Sequence, residues 1–561
     1  MTELAEIHRI VALPRRTHTP EFINTLVEGL SEDLRLNPKA KLRPVQAISL
    51  YELGTEGGLA GAIRVGGGKS LLTFLSSVVL GSARAILLLP ASLIAKTEHE
   101  RMIYAKDWKV DRGLRLMSYE MLGRVNAAEM LQQYRPDLII ADECHRLKNP
   151  RAAVTRRVAR YMAQYPETRF VGVSGTIVKH SLKDYAHIFA WALKAKSPVP
   201  IKREEVEAWA EILDSNDEDW MRRKDDTPLL PLGEPVREGF RRRLAETPGV
   251  VISSGKRGCE ASLLIRGVDY DVAAQTEANF KLLRDKMELS TGWALAGPLE
   301  VWRHARELAL GFHYEWTEHA PDEWLDARRE WAKFVRGIIS RSKTFDSELH
   351  IANAIDAGIL SDGGRLNDWR NIKDSFKPIT KAVWHDDSAL NVCAIWAEKF
   401  GPGIIWTSHD LFARELAKRT NLSFYGPGGL DTKGQKVDTV SGKESIIASI
   451  HANATGRNLQ MFTRSLIASA EGGADRNEQL LGRTHREGQT ADEVSYDVLL
   501  GCRENLKAMH DARNGARMIQ ETTGLDQLLL NCDWDIPDFD PADVYAPGWR
   551  WGKGEIEGHD E

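Results

Sequence analysis

"LIIADECHRLKNP" runs from Leu138 to Pro150 and joins an apolar run to a cluster of ionisable residues. Leu138, Ile139, Ile140 and Ala141 form an unbroken aliphatic run, closed by Asp142 and Glu143 and then by Cys144 and His145. A run without polar alternation fits a parallel strand buried on both faces. Two chemistries compete for the four residues that close it. Cys144 and His145 would serve a zinc site only with two further ligands at suitable spacing. The five cysteines, at 144, 259, 393, 502 and 532, contain no C-x-x-C pair, so that cluster is not in view. Asp142 and Glu143 would instead serve a magnesium-bound nucleotide, provided a phosphate loop precedes them.

Such a loop lies upstream. "GAIRVGGGKS" (61–70) misses the strict G-x-x-x-x-G-K-[ST] spelling because position 63 is Ile, but fits A-x-x-x-G-x-G-K-[ST] from Ala62 through Ser70. Gly66, Gly67 and Gly68 let backbone N–H groups close round phosphate oxygens. The helix after the loop offers its N-terminus to the same anion. Lys69 would neutralise the β- and γ-phosphates and Ser70 would ligate Mg²⁺. Asp142 would hold the same ion through water, and Glu143 would orient or deprotonate the attacking water. The pairing of loop and carboxylates favours nucleotide over zinc.

Working outward, further aliphatic runs at 83–93 and 168–176 alternate with amphipathic stretches between about 40 and 190, the pattern of a doubly wound α/β sheet. A second set of strand-like runs lies at 401–409, 464–470 and 492–500. The stretch between the two sets is rich in Trp and charge and reads as mostly helical. Its arginine-rich patches at 221–226 and 237–244 fit either solvated helix faces or a nucleic-acid surface. From 531 the chain is acidic, with Pro and Gly, and reads as an extended tail whose aromatic residues would dock on the body or on a protein partner. The expected organisation is a first lobe over 1–195, a mostly helical insertion over 196–385, a second lobe over 386–510, and a helical end with acidic tail over 511–561.

Composition sets the bounds. A chain of 561 residues exceeds what one core holds. Its 42% apolar and 28% charged residues are those of an ordinary soluble protein. A net charge of −5 excludes a polycation that coats nucleic acid, while permitting a local basic groove. The scattered cysteines fit a reducing cytosol, the N-terminus lacks a signal peptide's apolar core, and no apolar run is long enough to span a bilayer. A soluble, cytoplasmic protein without a membrane partner is expected.

The motifs resemble a known family. "DECH" (142–145) resembles the DEAD/DEAH-box signature of superfamily 2 helicases and translocases. "LRPVQ" (42–46) resembles the segment whose glutamine, here Gln46, reads adenine. "LLLPASL" (87–93), "MSYEML" (117–122) and "SGT" (174–176) are similar to the later motifs of the first lobe. "IIWTSH" (404–409), "NATGRNLQ" (453–460) and "QLLGRTHREGQ" (479–489) are similar to those of the second, the last with the H-R-x-G-Q ending of Swi/Snf-like members. The stretch "SAEGGADRNEQ" lacks the W-N-P signature of chromatin remodellers, which implies a divergent member of phage or bacterial type.

The resemblance implies two RecA-like doubly wound parallel-sheet lobes that clasp ATP and Mg²⁺, with Arg483 and Arg486 of the second lobe meeting the charge that develops on the γ-phosphate. His145, Ser174, Thr176 and Gln479 would relay the nucleotide state. Pro90, Ser92, Ser118, Tyr119, Thr407, Ser408 and Asn458 would touch a sugar–phosphate backbone, which holds register without reading sequence. The implied function is an ATP-dependent DNA helicase or duplex translocase. An RNA-directed ATPase of the same superfamily, or a nucleotide-gated scaffold that does not translocate, are the alternatives.

Overall fold

The aliphatic runs become strands because each offers apolar side chains to both faces. In this computed structural model, which describes residues 5–64, 66–124, 127–175, 181–214, 226–253, 259–290, 295, 298–318, 320–342, 344–454 and 456–539, the chain is α/β and carries two parallel sheets. The first is built from β1 (Leu59–Ala62), β2 (Ala85–Leu89), β3 (Arg115–Ser118), β4 (Leu138–Asp142), β5 (Arg169–Ser174) and β6 (Val250–Ile252). Their order across the sheet is β3-β2-β4-β5-β1-β6, with every neighbouring pair parallel. Ile86, Leu88, Ile139 and Ala141 enter the core on one face, and Leu87, Leu89, Leu138 and Ile140 the core on the other. Successive side chains point to opposite faces, so a sheet covered by helices on both sides needs both alternate sets apolar.

The second sheet contains β7 (Ser262–Val268), β10 (Ile404–Thr407), β11 (Phe424–Tyr425), β12 (Ile446–Ser449), β13 (Arg464–Ile467), β14 (Glu493–Leu499) and β15 (Asp533–Asp535). Its order is β11-β12-β10-β13-β14-β7-β15, again parallel throughout. Two further strands, β8 (Phe312–Trp316) and β9 (Thr380–Trp384), form an antiparallel pair. The chain divides into two compact units, one of residues 1–255, 321–376 and 518–526, the other of the rest.

This division corrects the expectation of one helical insertion over 196–385. That stretch supplies β6 to the first sheet and β7 to the second, where β7 pairs with β14 over seven residues. Its 321–376 part carries helices and no strand among the described residues, with a small core of Trp331, Val335, Ile351 and Leu366. The Ala153–Gln164 helix anchors this part within the first unit. Arg156 donates to the carbonyls of Ile339, Ser342 and Phe345, and buried Arg157 meets buried Asp346 at 3.2 Å. Burial works against the Asp346 charge, but Arg157 and Arg160 outweigh it and hold the carboxyl below its usual range. Such a pair is costly to break from one side, since the remaining charge is left buried.

Of the two arginine-rich patches, 221–225 lies outside the described residues. The other forms the Val236–Glu246 helix, where Arg243 is fully buried and donates to the carbonyls of Leu13 and Pro14, a structural task. The tail expected to be extended from 531 adds β15 beside β7; residues 540–561 lie outside the described residues. No helix among the described residues is long and apolar enough to cross a membrane.

Candidate functional site

In the first unit, β1 ends at Ala62 and the helix Lys69–Val79 begins after the glycine loop. Gly66 and Gly68 take left-handed φ values of 83° and 79°, which favour glycine. A Cβ on Gly68 would fall 2.4 Å from Gln46 Nε2. The reason is a clamp: Gln46 Nε2 donates to the Gly68 carbonyl at 2.9 Å while its Oε1 accepts from the Arg43 amide at 2.8 Å. The Arg43 guanidinium donates to the Gly66 carbonyl at 2.5 Å. Gln46 is buried and braces the glycine loop through these two hydrogen bonds. Arg43, which sequence reasoning passed over, braces the same loop; its place beside Pro44 and Gln46 was the available signal.

Lys69 Nζ donates to the Ile63 carbonyl at 3.2 Å and stands 3.9 Å from Glu143 Oε1. Ser70 is half-buried in the first turn of the same helix. The sheet register explains how residues so far apart in sequence meet: β5 lies between β1 and β4, Ala62 pairs with Ser174, and Asp142 pairs with Val173. The loop, Ser174 and the two carboxylates therefore gather at the carboxyl ends of adjacent strands, where ligands of open α/β sheets sit.

Glu143 adopts φ 52° and ψ 49°, an uncommon conformation for a residue with a side chain. It is held there from several sides. Asp142 Oδ1 accepts from the Glu143 amide at 3.0 Å. The Ser174 hydroxyl donates to Glu143 Oε2 at 3.3 Å, and His145 Nδ1 lies 2.9 Å from Ser174 Oγ and 3.3 Å from Glu143 Oε2. Behind the carboxylates, the buried Tyr119 hydroxyl donates to the Asp142 carbonyl at 2.6 Å. Burial, followed by the neighbouring Glu143 charge, pushes the Asp142 carboxyl up to about 7, with Lys69 opposing. Cys144 is sealed in the core, and burial raises its thiol well above the usual range. Among the described residues no group of three or more His, Cys, Asp or Glu is arranged to hold a metal ion.

The structure thus brings Lys69, Asp142, Glu143, His145 and Ser174 into one cluster beside Gly66, Gly67, Gly68 and Ser70. Thr176 lies outside the described residues. The residues expected on a nucleic-acid surface divide. Ser92 and Asn458 are exposed. Pro90 is buried, Ser118 is buried and caps the short helix after it by accepting from the Met121 amide at 2.9 Å, and Tyr119 is the buried brace just described. Thr407 is buried against Ser469, their hydroxyls 3.1 Å apart, and half-buried Ser408 donates to Glu471 at 2.7 Å. Surface contact is therefore not the task of the Pro90, Ser118, Tyr119 or Thr407 side chains in this conformation, because each is packed or hydrogen-bonded inside its own unit.

In the second unit, the helix Ala474–Leu481 leads into Arg483 and Arg486. Arg483 is buried, donating from Nε to the Gln479 carbonyl at 2.7 Å and from Nη1 to the Arg457 carbonyl at 2.9 Å. Arg486 is half-buried, with Nη1 3.5 Å from that same Arg457 carbonyl. Gln489 clips the segment by donating to the carbonyls of Gln460 and Thr484 at 2.9 and 3.0 Å. Gln479 is half-buried and contributes its backbone carbonyl to Arg483. The two arginines should therefore separate by experiment. Arg483→Ala loses two charge-assisted bonds and about 3 kcal/mol of stability, read as a clear drop in melting temperature. Arg486→Ala, which loses the 3.5 Å approach to the Arg457 carbonyl, should melt closer to the parent chain.

No protein-family model matches this chain, and no curated protein matches it.

Proposed function

We propose that the chain is an ATP-dependent motor on DNA, a helicase or duplex translocase of the DEAD/DEAH-box, Swi/Snf-like kind built on two RecA-like lobes and working in the cytoplasm. One observation carries this reading: Lys69 Nζ, at the mouth of a braced glycine loop, stands 3.9 Å from Glu143 Oε1 at the end of β4. A cation, a carboxylate pair and a ring of glycine amides at one sheet edge are what binding and hydrolysing a nucleoside triphosphate require.

Mg²⁺ fits the donor set. Ser70 and Asp142 provide one hydroxyl and one half-buried carboxylate, and Mg²⁺ commonly takes one or two protein oxygens and completes its shell with phosphates and water. Bound with ATP, the ion would offset negative charge on the phosphate oxygens. The chain's own residues would do the rest. Glycine amides and Lys69 would hold the β- and γ-phosphates, and Glu143 would orient the attacking water and accept its proton. Ser174 and His145, both touching Glu143, would report whether that carboxylate is engaged. Arg483 and Arg486 would come from the second lobe.

Asp142 gives the reading a pH signature. With its folded pKa raised from 3.8 to about 7, the unfolded chain loses this proton first. The group therefore lowers the stability of the ligand-free chain progressively across that interval, and by a constant amount above it. Mg²⁺ needs the ionised carboxylate, so Mg·ATP affinity should rise with pH up to about 7 and level off. Calorimetric titrations at pH 5.5 and 7.5 check this, and Asp142→Asn should remove the dependence.

The deciding experiment is the steady-state ATPase rate with no nucleic acid, single-stranded DNA, duplex DNA or RNA. Stimulation by duplex above single strand indicates a translocase, and the reverse a helicase. Stimulation by RNA alone transfers the activity to RNA. A rate indifferent to all three leaves an ATPase and removes the motor.

A further inference from the structure

A cavity of about 400 Å³ opens within the second unit at the carboxyl ends of β10 and β13. Of its lining residues, only Ser408 belongs to the contacts that the family resemblance implies. The helix Pro298–Ala309, which carries none of the motifs, supplies Trp302, Arg303 and Arg306, and Arg476 also lines the cavity; the Lys507 ammonium lies over the Trp302 ring, 5.6 Å from its centroid. Gly472 and Ala508 leave part of the wall without bulk.

The charges are organised rather than scattered. Glu471 accepts from Arg306 Nη2 at 2.9 Å, Arg476 Nη1 at 2.9 Å and Ser408 Oγ at 2.7 Å. Burial opposes its charge, but Arg306, Ser408 and Arg476 outweigh it and hold the carboxyl below its usual range. One buried carboxylate thus fixes two guanidinium groups at the wall. Arg306 Nε is buried with no hydrogen-bond partner among the described residues, an unusual state for so polar an atom. Arg303 is more than half exposed and adds a third guanidinium, its Nε 3.7 Å from the buried Glu307 carboxylate and one Nη 2.9 Å from His304 Nε2. The other carboxylate, Asp511, is paired with Lys507 at 2.6 Å. Burial pushes His409 down to about 4, so its ring offers hydrogen bonds without charge.

We infer that this cavity binds a phosphodiester segment of a nucleic-acid strand, with Arg303 and Arg476 on phosphate oxygens and Trp302 offering its ring to a base. Planar guanidinium forks match phosphate oxygens in pairs, and an aromatic face beside them stacks any base regardless of sequence. The inference deepens the proposed DNA reading by adding a contact that lies outside the motif set, yet it concerns binding and needs no ATP.

Anisotropy of a fluorescein-labelled single-stranded oligonucleotide, with the full chain and no nucleotide, tests it across a salt series. Arg303→Glu should weaken binding about tenfold and lower the salt slope by about 0.7, the share of one phosphate contact on a single strand. Arg303→Lys should retain the slope. An oligonucleotide carrying iododeoxyuridine should crosslink on irradiation to the peptide containing Trp302. Equal affinity and slope in Arg303→Glu and Trp302→Ala, with no crosslink to that peptide, would overturn the inference. So would inorganic phosphate binding that depends on Arg303 while oligonucleotide binding does not, since the ligand would then be a free anion. Arg303-dependent strand binding by a chain that hydrolyses no ATP would remove the motor and leave the cavity's assignment standing.

Discussion

Glu143→Gln should bind Mg·ATP with parent-like affinity and turn it over about 10²- to 10⁴-fold more slowly, the usual contribution of a positioned general base. The substitution keeps the shape and an acceptor oxygen for Ser174, whose hydroxyl lies 3.3 Å from Glu143 Oε2, so the local geometry survives. What it removes is the basic oxygen nearest Lys69 and the charge that the His145 ring faces at 3.3 Å. Single-turnover hydrolysis beside equilibrium binding of a fluorescent ATP analogue separates the two effects. Normal hydrolysis by this variant would sink the general-base role and return the cluster to a strand-end ion pair.

The second large effect is on binding. Lys69→Ala should raise the ATP dissociation constant about 100-fold, because charge-assisted contacts to phosphate are each worth about 1.5–3 kcal/mol and this ammonium would serve two phosphates. Its loss also leaves Asp142 and Glu143 without their nearby cation. Lys69 is the group that opposes the upward shift at Asp142, so the pH above which Mg·ATP affinity levels off should move higher in the variant. A chain that binds ATP normally without Lys69 would show that the glycine loop is only a turn.

Much of this site was legible in order, and little of it in contact. The run ending in Asp142-Glu143 and the glycines before Lys69 are local chemistry: uninterrupted aliphatics require burial on both faces, and closely spaced glycines permit backbone that other residues resist. The strands β2, β4, β5, β10, β13 and β14 fall inside the apolar runs for that reason. The places where reading failed share a different cause. β6 is only three residues long and β7 has only two fully buried positions, so neither reads as an unbroken aliphatic run, and their membership of two different sheets depends on pairing partners far along the chain. Gln46 and Tyr119 carry polar groups that suit a ligand in sequence, but their distances to Gly68 and Asp142 show them bracing backbone. The sequence alone thus located six of the parallel strands and placed a glycine loop and a carboxylate pair at strand ends. Only the tertiary structure decided which polar groups brace that edge and which remain for a ligand, because side-chain hydrogen bonds go to whichever partner the sheet register brings within about 3 Å.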